Sequence, residues 1–185
     1  MRASITLAIV LIASPVLAQP DDGRRGSSPY AGLEARPIKA LSDKDVDDLR
    51  NGRGMGLALP AELNGYPGPS HVVELSADLR LSDAQRARMG ELFAAMKAET
   101  IPLGERLLVG EQDLDALFAS KIVTPATLEA ASSAIAKTQG ALRAAHLRYH
   151  LLTVAELTSE QVRRYRELRG YAASAARSHG ARHHP

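Results

Sequence analysis

Apolar side chains recur at helical spacing through the middle of the chain, in two long stretches. Over residues 82–118 they alternate in steps of four and three, the pattern of a long helix packed against a partner helix. The positions of this first seam are Met89, Phe93, Met96, Thr100, Leu103, Leu107, Gly110, Leu114 and Leu117. Pro102 falls inside the stretch and lacks a backbone donor, so we expect the helix to bend there.

Residues 124–156 repeat the pattern after a clear helix start. Thr124 stands where an N-cap is expected, and Pro125 stands at the first helical position. The apolar positions of this second seam are Leu128, Ala131, Ile135, Thr138, Leu142, Ala145, Tyr149 and Leu152. Because only residues 119–123 separate the two stretches, they predict an all-α fold built on a long, bent, antiparallel helical hairpin.

Short helices are predicted before the hairpin. One begins after Ser42 and stops at the glycines of residues 52–56, and another begins near Ser70. A two-helix hairpin buries too little surface to be stable alone. We therefore expect the short helices to fold onto the hairpin, and a second copy of the chain to cover what remains, which predicts a homodimer.

The beginning of the chain carries a targeting pattern. Residues 1–18 have the basic, apolar and small-residue order of a secretory signal, which predicts cleavage after Ala18 and a periplasmic protein. Residues 19–40 are rich in Gly, Pro, Ser and charge, and they predict a flexible leader that does not pack. The folded domain is therefore expected over residues 41–171.

The end of the chain is also expected to be unstructured. Residues 172–185 are small and basic, and they contain His179, His183 and His184. Such a tail can hold a metal weakly, but an unstructured end explains its composition equally well.

Composition excludes several kinds of chemistry. The chain has 185 residues, of which 45% are apolar and 4% aromatic, and it contains no cysteine, which excludes disulfides, thiolate metal sites and thiol nucleophiles. The net charge is +2 and the basic residues are spread along the chain, so no nucleic-acid platform is expected. The glycine run 52–56 follows a helix rather than a strand, unlike a phosphate loop. No catalytic constellation stands out, so we expect neither an enzyme nor an ATP site.

Three histidines lie within the expected folded domain. His146 and His150 stand four residues apart on the second long helix, so their rings share one face and can share a metal. His71 and Glu74, on the preceding short helix, would add ligands if that helix docks across the hairpin. A zinc protease would need Glu where Leu147 stands, so a hydrolase is not expected. The expected metals are Zn, Ni, Co or Cu; the alternative is two half-buried rings that bond to backbone or carboxylate partners.

Two helix starts share one short motif. They read Leu81-Ser82-Asp83-Ala84-Gln85 and Leu157-Thr158-Ser159-Glu160-Gln161. In each, the hydroxyl residue is placed to cap the helix and the Gln to reach back to it, which forms a capping box. The motif residues are Leu81, Ser82, Gln85, Leu157, Thr158 and Gln161, and the role that their spacing predicts is structural.

The secretory signal, the lack of cysteine, the helical hairpin and the two L-[ST]-x-x-Q boxes together resemble the Spy/CpxP group of periplasmic proteins, whose motif is written LTxxQ. The resemblance covers about residues 70–171 and leaves residues 30–69 outside it. It implies a dimeric, all-helical, cradle-shaped protein that acts by binding. The implied roles are an ATP-independent chaperone of unfolded envelope proteins, an adaptor for a membrane stress sensor, or a periplasmic heavy-metal sensor or resistance protein.

The last predicted helix offers the mixed apolar and cationic contacts that a client-holding surface needs. Its candidate residues are Arg163, Arg164, Tyr165, Arg166 and Arg169. An ordinary solvated amphipathic helix has the same pattern. The leading expectation is therefore a chaperone or stress adaptor, and heavy-metal sensing or resistance through histidine ligands is the alternative.

Overall fold

The computed structural model describes residues 28–171, which form six α-helices and, within that range, no strand. The helices are α1 (Asp43–Arg50), α2 (Leu59–Glu62), α3 (Pro69–Glu74), α4 (Asp83–Ala119), α5 (Pro125–Ala155) and α6 (Ser159–Leu168). The predicted all-α class is confirmed. The predicted signal, the first part of the predicted leader and the His-rich tail lie outside the described residues. None of the helices in residues 28–171 is long and apolar enough to span a membrane.

The two long helices, α4 and α5, run antiparallel and are joined by residues 120–124. Arg88 Nε lies 3.1 Å from Glu156 Oε1, and Arg148 pairs with Glu99 further along α4. A residue near the start of α4 thus pairs at the end of α5, and a residue later in α4 pairs earlier in α5. The two helices therefore run antiparallel. α4 continues without interruption through Pro102.

The predicted seam of α5 is right in its centre and wrong at its ends. Leu142, Ala145 and Tyr149 are buried, whereas Leu128 and Leu152 are 39% and 40% exposed. The physical reason is that an α-helix has 3.6 residues per turn, so its buried face drifts away from a strict 3.5-residue repeat. Toward the end of α5 the buried face therefore takes in three polar side chains instead, namely His146, His150 and Thr153.

Residues 28–40 correct the prediction that the whole stretch 19–40 is a flexible leader. Ile38 is 4% exposed and belongs to the core cluster that contains Leu49 and Leu107. Lys39 Nζ also lies 3.0 Å from Asp115 Oδ2 of α4. The polar and glycine-rich composition of the stretch gave no indication that Ile38 is buried, and burial of such a side chain contributes about 1.5–3 kcal/mol.

The short helices pack onto the hairpin, as the burial argument predicts. α1 lies so close to α4 that a Cβ placed on Gly104 would stand 2.5 Å from the carbonyl oxygen of Leu49. α3 packs against the first half of α4, where Val72 and Met89 are both completely buried. This arrangement places the chain between α1 and α3 beside the middle of the hairpin.

Candidate functional site

A cavity of about 540 Å³ lies between the α1–α3 region and the two long helices. All four candidate metal ligands line it, namely His71, Glu74, His146 and His150. Much of the remaining wall comes from residues 51–69, which lie outside the family resemblance. Gly52, Gly54, Glu62 and Gly68 also line the cavity.

The glycine-rich loop, residues 52–56, forms one wall of the cavity. Gly52 has a φ of +63°, and a Cβ there would stand 2.8 Å from Thr100 Oγ1. A Cβ on Gly54 would stand 4.0 Å from His146 Nδ1. The loop can therefore lie against α4 because Gly52 has no side chain, whereas a Cβ on Gly54 would make only an ordinary van der Waals contact with the His146 ring.

His150 is fixed by the turn that precedes α3. Its Nδ1 lies 2.6 Å from the carbonyl oxygen of Tyr66, which accepts a hydrogen bond from it. The backbone of Gly68 lies against the ring, since a Cβ there would stand 2.9 Å from Nε2. A neutral imidazole that donates through Nδ1 keeps a lone pair on Nε2, which is the tautomer of a metal ligand.

His146 is more deeply buried than a half-exposed ring beside the seam would be. His146 is 2% exposed, and its Nε2 has no hydrogen-bond partner among residues 28–171. Burial and the neighbouring His150 lower the pKa of His146, which favours the neutral ring. A buried ring nitrogen without a partner costs about 1–3 kcal/mol, a cost that a bound ligand would remove.

Glu62 is the buried acid of the site, and no motif or periodicity in the sequence points to it. Glu62 Oε1 accepts hydrogen bonds from the hydroxyls of Tyr165 and, at 3.1 Å, Tyr171. Glu62 Oε2 has no hydrogen-bond partner within the described part of the chain and lies 3.8 Å from His150 Nδ1. Burial and the contact with Glu62 raise the pKa of Tyr165, so its hydroxyl stays protonated and donates.

His71 and Glu74 stand at a more open part of the same cavity. His71 Nδ1 lies 3.3 Å from Glu74 Oε2, and these side chains are 38% and 64% exposed. Across residues 28–171, no three His, Asp or Glu side chains are grouped closely enough to hold a metal ion. The predicted ligands therefore share one cavity but do not form a ready coordination centre.

The predicted client surface on α6 needs correction. Tyr165 is 0% exposed, so it packs in the core rather than presenting a surface to a partner. Its position four residues after Gln161 turns it toward α2, where it meets Glu62. Arg163 and Arg164 are exposed, and each pairs with a glutamate three residues away. Arg166 is partly buried, and Arg169 is exposed although its Nε lies 3.8 Å from Glu62 Oε1.

Both capping boxes form in the structure. Ser82 Oγ accepts from the Gln85 backbone N–H and Gln85 Oε1 accepts from the Ser82 N–H, each at 3.1 Å. Thr158 and Gln161 make the same two contacts at the start of α6. The flanking leucines, Leu81 and Leu157, pack into or against the core cluster around Met89. These six residues therefore hold helix starts and take no part in the cavity wall.

The comparisons with known proteins add no relative. No family model matches the chain, and no curated protein or solved structure matches it. The resemblance to the Spy/CpxP group remains a hypothesis based on the two boxes and the helical pattern. Function is therefore inferred from the cavity and its side chains.

Proposed function

We propose that this protein is a periplasmic metal-binding protein, which senses or buffers a transition-metal cation held in the cavity. The observation that carries the proposal is a pair of buried atoms without partners, His146 Nε2 and Glu62 Oε2, whose residues line the same cavity. Imidazole nitrogen and carboxylate oxygen are both ligands of Zn, Ni, Co and Cu. A divalent cation would accept an electron pair from each of them.

His150 and His71 are the side chains that would complete the ligand set. His150 is oriented by the Tyr66 carbonyl oxygen, which accepts from Nδ1 and leaves Nε2 as the ring nitrogen for a cation. His71 is only half-buried and contacts the exposed Glu74, so it can reorient toward a cation at little cost. Cation binding would thus bring together side chains that already line one cavity, and Glu74 would be the carboxylate beside His71.

A metal titration tests this proposal. The mature chain, with His179, His183 and His184 replaced by Ala to remove the tail as a competing site, is titrated calorimetrically with Zn, Ni, Co and Cu. We expect one cation per chain to bind with micromolar or tighter affinity, and His146→Ala or His150→Ala to abolish that binding. Gln139→Ala, on an exposed face of α5, is the control and should not change the affinity. Absence of binding, or binding that survives both histidine substitutions, would reject the proposal.

A chaperone or stress-adaptor function is the second candidate, supported by apolar side chains around the α4–α5 connector. Phe118, Ile122 and Leu128 are 53%, 66% and 39% exposed. Such a patch is a common feature of interaction sites, and the family resemblance implies that two copies form a cradle for unfolded envelope proteins.

Sedimentation velocity tests the homodimer, and suppression of aggregation of a denatured client without ATP tests the holding activity. We expect Phe118→Ser with Ile122→Ser to reduce the suppression while the helical content stays unchanged. Equal suppression by the substituted and unsubstituted proteins would exclude this patch as the client surface.

A further inference from the structure

Glu62 contacts both the cavity and α6, and it does so through different carboxylate oxygens. Oε1 accepts the hydroxyl protons of Tyr165 and Tyr171. Arg169 Nε lies 3.8 Å from the same oxygen. Oε2 has no hydrogen-bond partner in residues 28–171 and is the oxygen nearer to His150. All three side chains from α6 and the residues just after it therefore contact Oε1, and none of them bonds to Oε2.

We propose that Tyr165 and Tyr171 are positioning residues for the cation site, which hold Glu62 so that Oε2 is available to the cation, and that cation binding in return stabilises the packing of α6. This inference rests on the proposed function, because it requires a cation that Glu62 ligates. It adds a route by which cation binding in the cavity affects α6, a helix that contacts Glu62 but does not line the cavity.

The physical reason is that a carboxylate ligand needs a fixed orientation. Hydrogen bonds from outside the ligand set provide it, and losing one such partner typically lowers metal affinity about 10- to 100-fold. α2 has only four residues, from Leu59 to Glu62, so it offers little support of its own for the side chain at its end. Tyr165, which is completely buried, and Tyr171 supply that support from another helix and its end.

Thermodynamic linkage makes the effect reciprocal. If packed α6 raises the affinity for the cation, the cation must stabilise packed α6 by the same free energy. α6 carries the exposed pair Arg163 and Arg164, so a change in its packing would alter a charged surface. The expected observable is slower hydrogen exchange in residues 159–168 when the cation is bound.

The test combines Zn affinity with hydrogen exchange in the mature chain that lacks the three tail histidines. Tyr171→Phe removes one hydroxyl from a partly buried ring and should lower Zn affinity about tenfold or more. Zn should protect residues 159–168 more than residues 43–50, and Glu62→Gln should abolish that difference. Tyr149→Phe is the matched control, since Tyr149 is a buried residue whose hydroxyl interacts with Glu99 instead of Glu62, and it should leave the affinity unchanged.

Each result has a defined meaning. A weaker affinity in Tyr171→Phe together with Zn-dependent protection of residues 159–168 supports the inference. If Tyr171→Phe and Tyr165→Phe fold, as judged by circular dichroism, and bind Zn as tightly as the unsubstituted chain, the inference is wrong while the metal site stands. If the unsubstituted chain binds none of the four metals, the proposed function fails and the inference fails with it.

Discussion

Gln85 and Gln161, 76 positions apart in the chain, bond to each other through both atoms of their side-chain amides. Gln85 Nε2 donates to Gln161 Oε1 at 2.9 Å, and Gln161 Nε2 donates to Gln85 Oε1 at 3.0 Å. Each Oε1 also accepts from the N-cap N–H of its own helix. Gln85 Nε2 also donates to the backbone carbonyl of Glu156, and Gln161 Nε2 also donates to that of Leu79. The starts of α4 and α6 are thereby joined through two fully bonded amides.

This amide pair predicts coupled stability effects. Gln85→Ala and Gln161→Ala should each lower the free energy of unfolding by about 1–2 kcal/mol, because each removes a cap and a cross-helix bond. A double-mutant cycle, measured by urea unfolding, should show a coupling of about 0.5–1.5 kcal/mol between them. Thr127→Ala is the control: it weakens the capping box of α5 at the other end of the hairpin, and its effect should simply add to that of Gln85→Ala. Additive effects of Gln85 and Gln161 would contradict the pairing.

The capping boxes show how far local sequence carries the prediction. Each box contains its own capping residues, so the starts of α4 and α6 were predicted correctly at Ser82 and Thr158. The bond between the two glutamines depends on where the hairpin and α6 place the boxes in space, which five local residues do not encode. A repeated motif indicates that two sites follow the same local rule, and the fold decides whether they meet.

The close approach of α1 and α4 predicts a sensitive glycine. Gly104 lies inside α4, and a Cβ there would stand 2.5 Å from the Leu49 carbonyl oxygen, which is backbone and cannot move alone. Gly104→Ala should therefore lower the free energy of unfolding by about 1–3 kcal/mol, although Ala normally favours a helix. Gly90→Ala, in the same helix and with no atom beyond the local helix backbone within 4 Å of its added Cβ, should instead be stabilising. Thermal unfolding of the two variants checks the difference in sign.

The candidate site was predicted in part. The i,i+4 spacing of His146 and His150 placed both rings on one face, and the structure puts them with His71 and Glu74 around one cavity. Glu62 was missed because Leu59-Pro60-Ala61-Glu62 has no periodic or motif signal, and its partners Tyr165 and Tyr171 lie more than a hundred positions away. The glycines of residues 52–56 predict only the end of a helix, and the close approach of Gly52 to Thr100 is visible only in the structure.

The bonds that Asp48 makes should contribute a part of the folding stability that is lost in acid. It is 4% exposed and bonds to Lys44 and, at 2.9 Å, to Arg53. These bonds hold the pKa of Asp48 below its usual value of 3.8. Because the folded pKa is the lower one, the stability that the carboxylate contributes is complete above the unfolded value and is lost as the pH falls through the folded value. Urea unfolding, measured as the pH is lowered from neutral to below the folded pKa of Asp48, checks this. The free energy of unfolding of Asp48→Asn should fall less on acidification than that of the unsubstituted protein. Parallel pH profiles would show that the ion pairs do not contribute.

A substitution at Gly68 should disturb the cavity without removing any of the candidate metal ligands. A Cβ on Gly68 would stand 2.9 Å from Nε2 and Cε1 of His150, a buried ring that Tyr66 holds from its other nitrogen. Gly68→Ala should therefore displace the ring and lower the affinity for the cation about tenfold or more, because ligand placement controls metal binding. Gly140→Ala, inside α5 and with no atom beyond the local helix backbone within 4 Å of its added Cβ, is the control. It should bind the cation normally and be more stable by about 0.5–1 kcal/mol. A folded Gly68→Ala protein with undiminished affinity would remove His150 from the ligand set, because the displaced ring would then make no difference to binding.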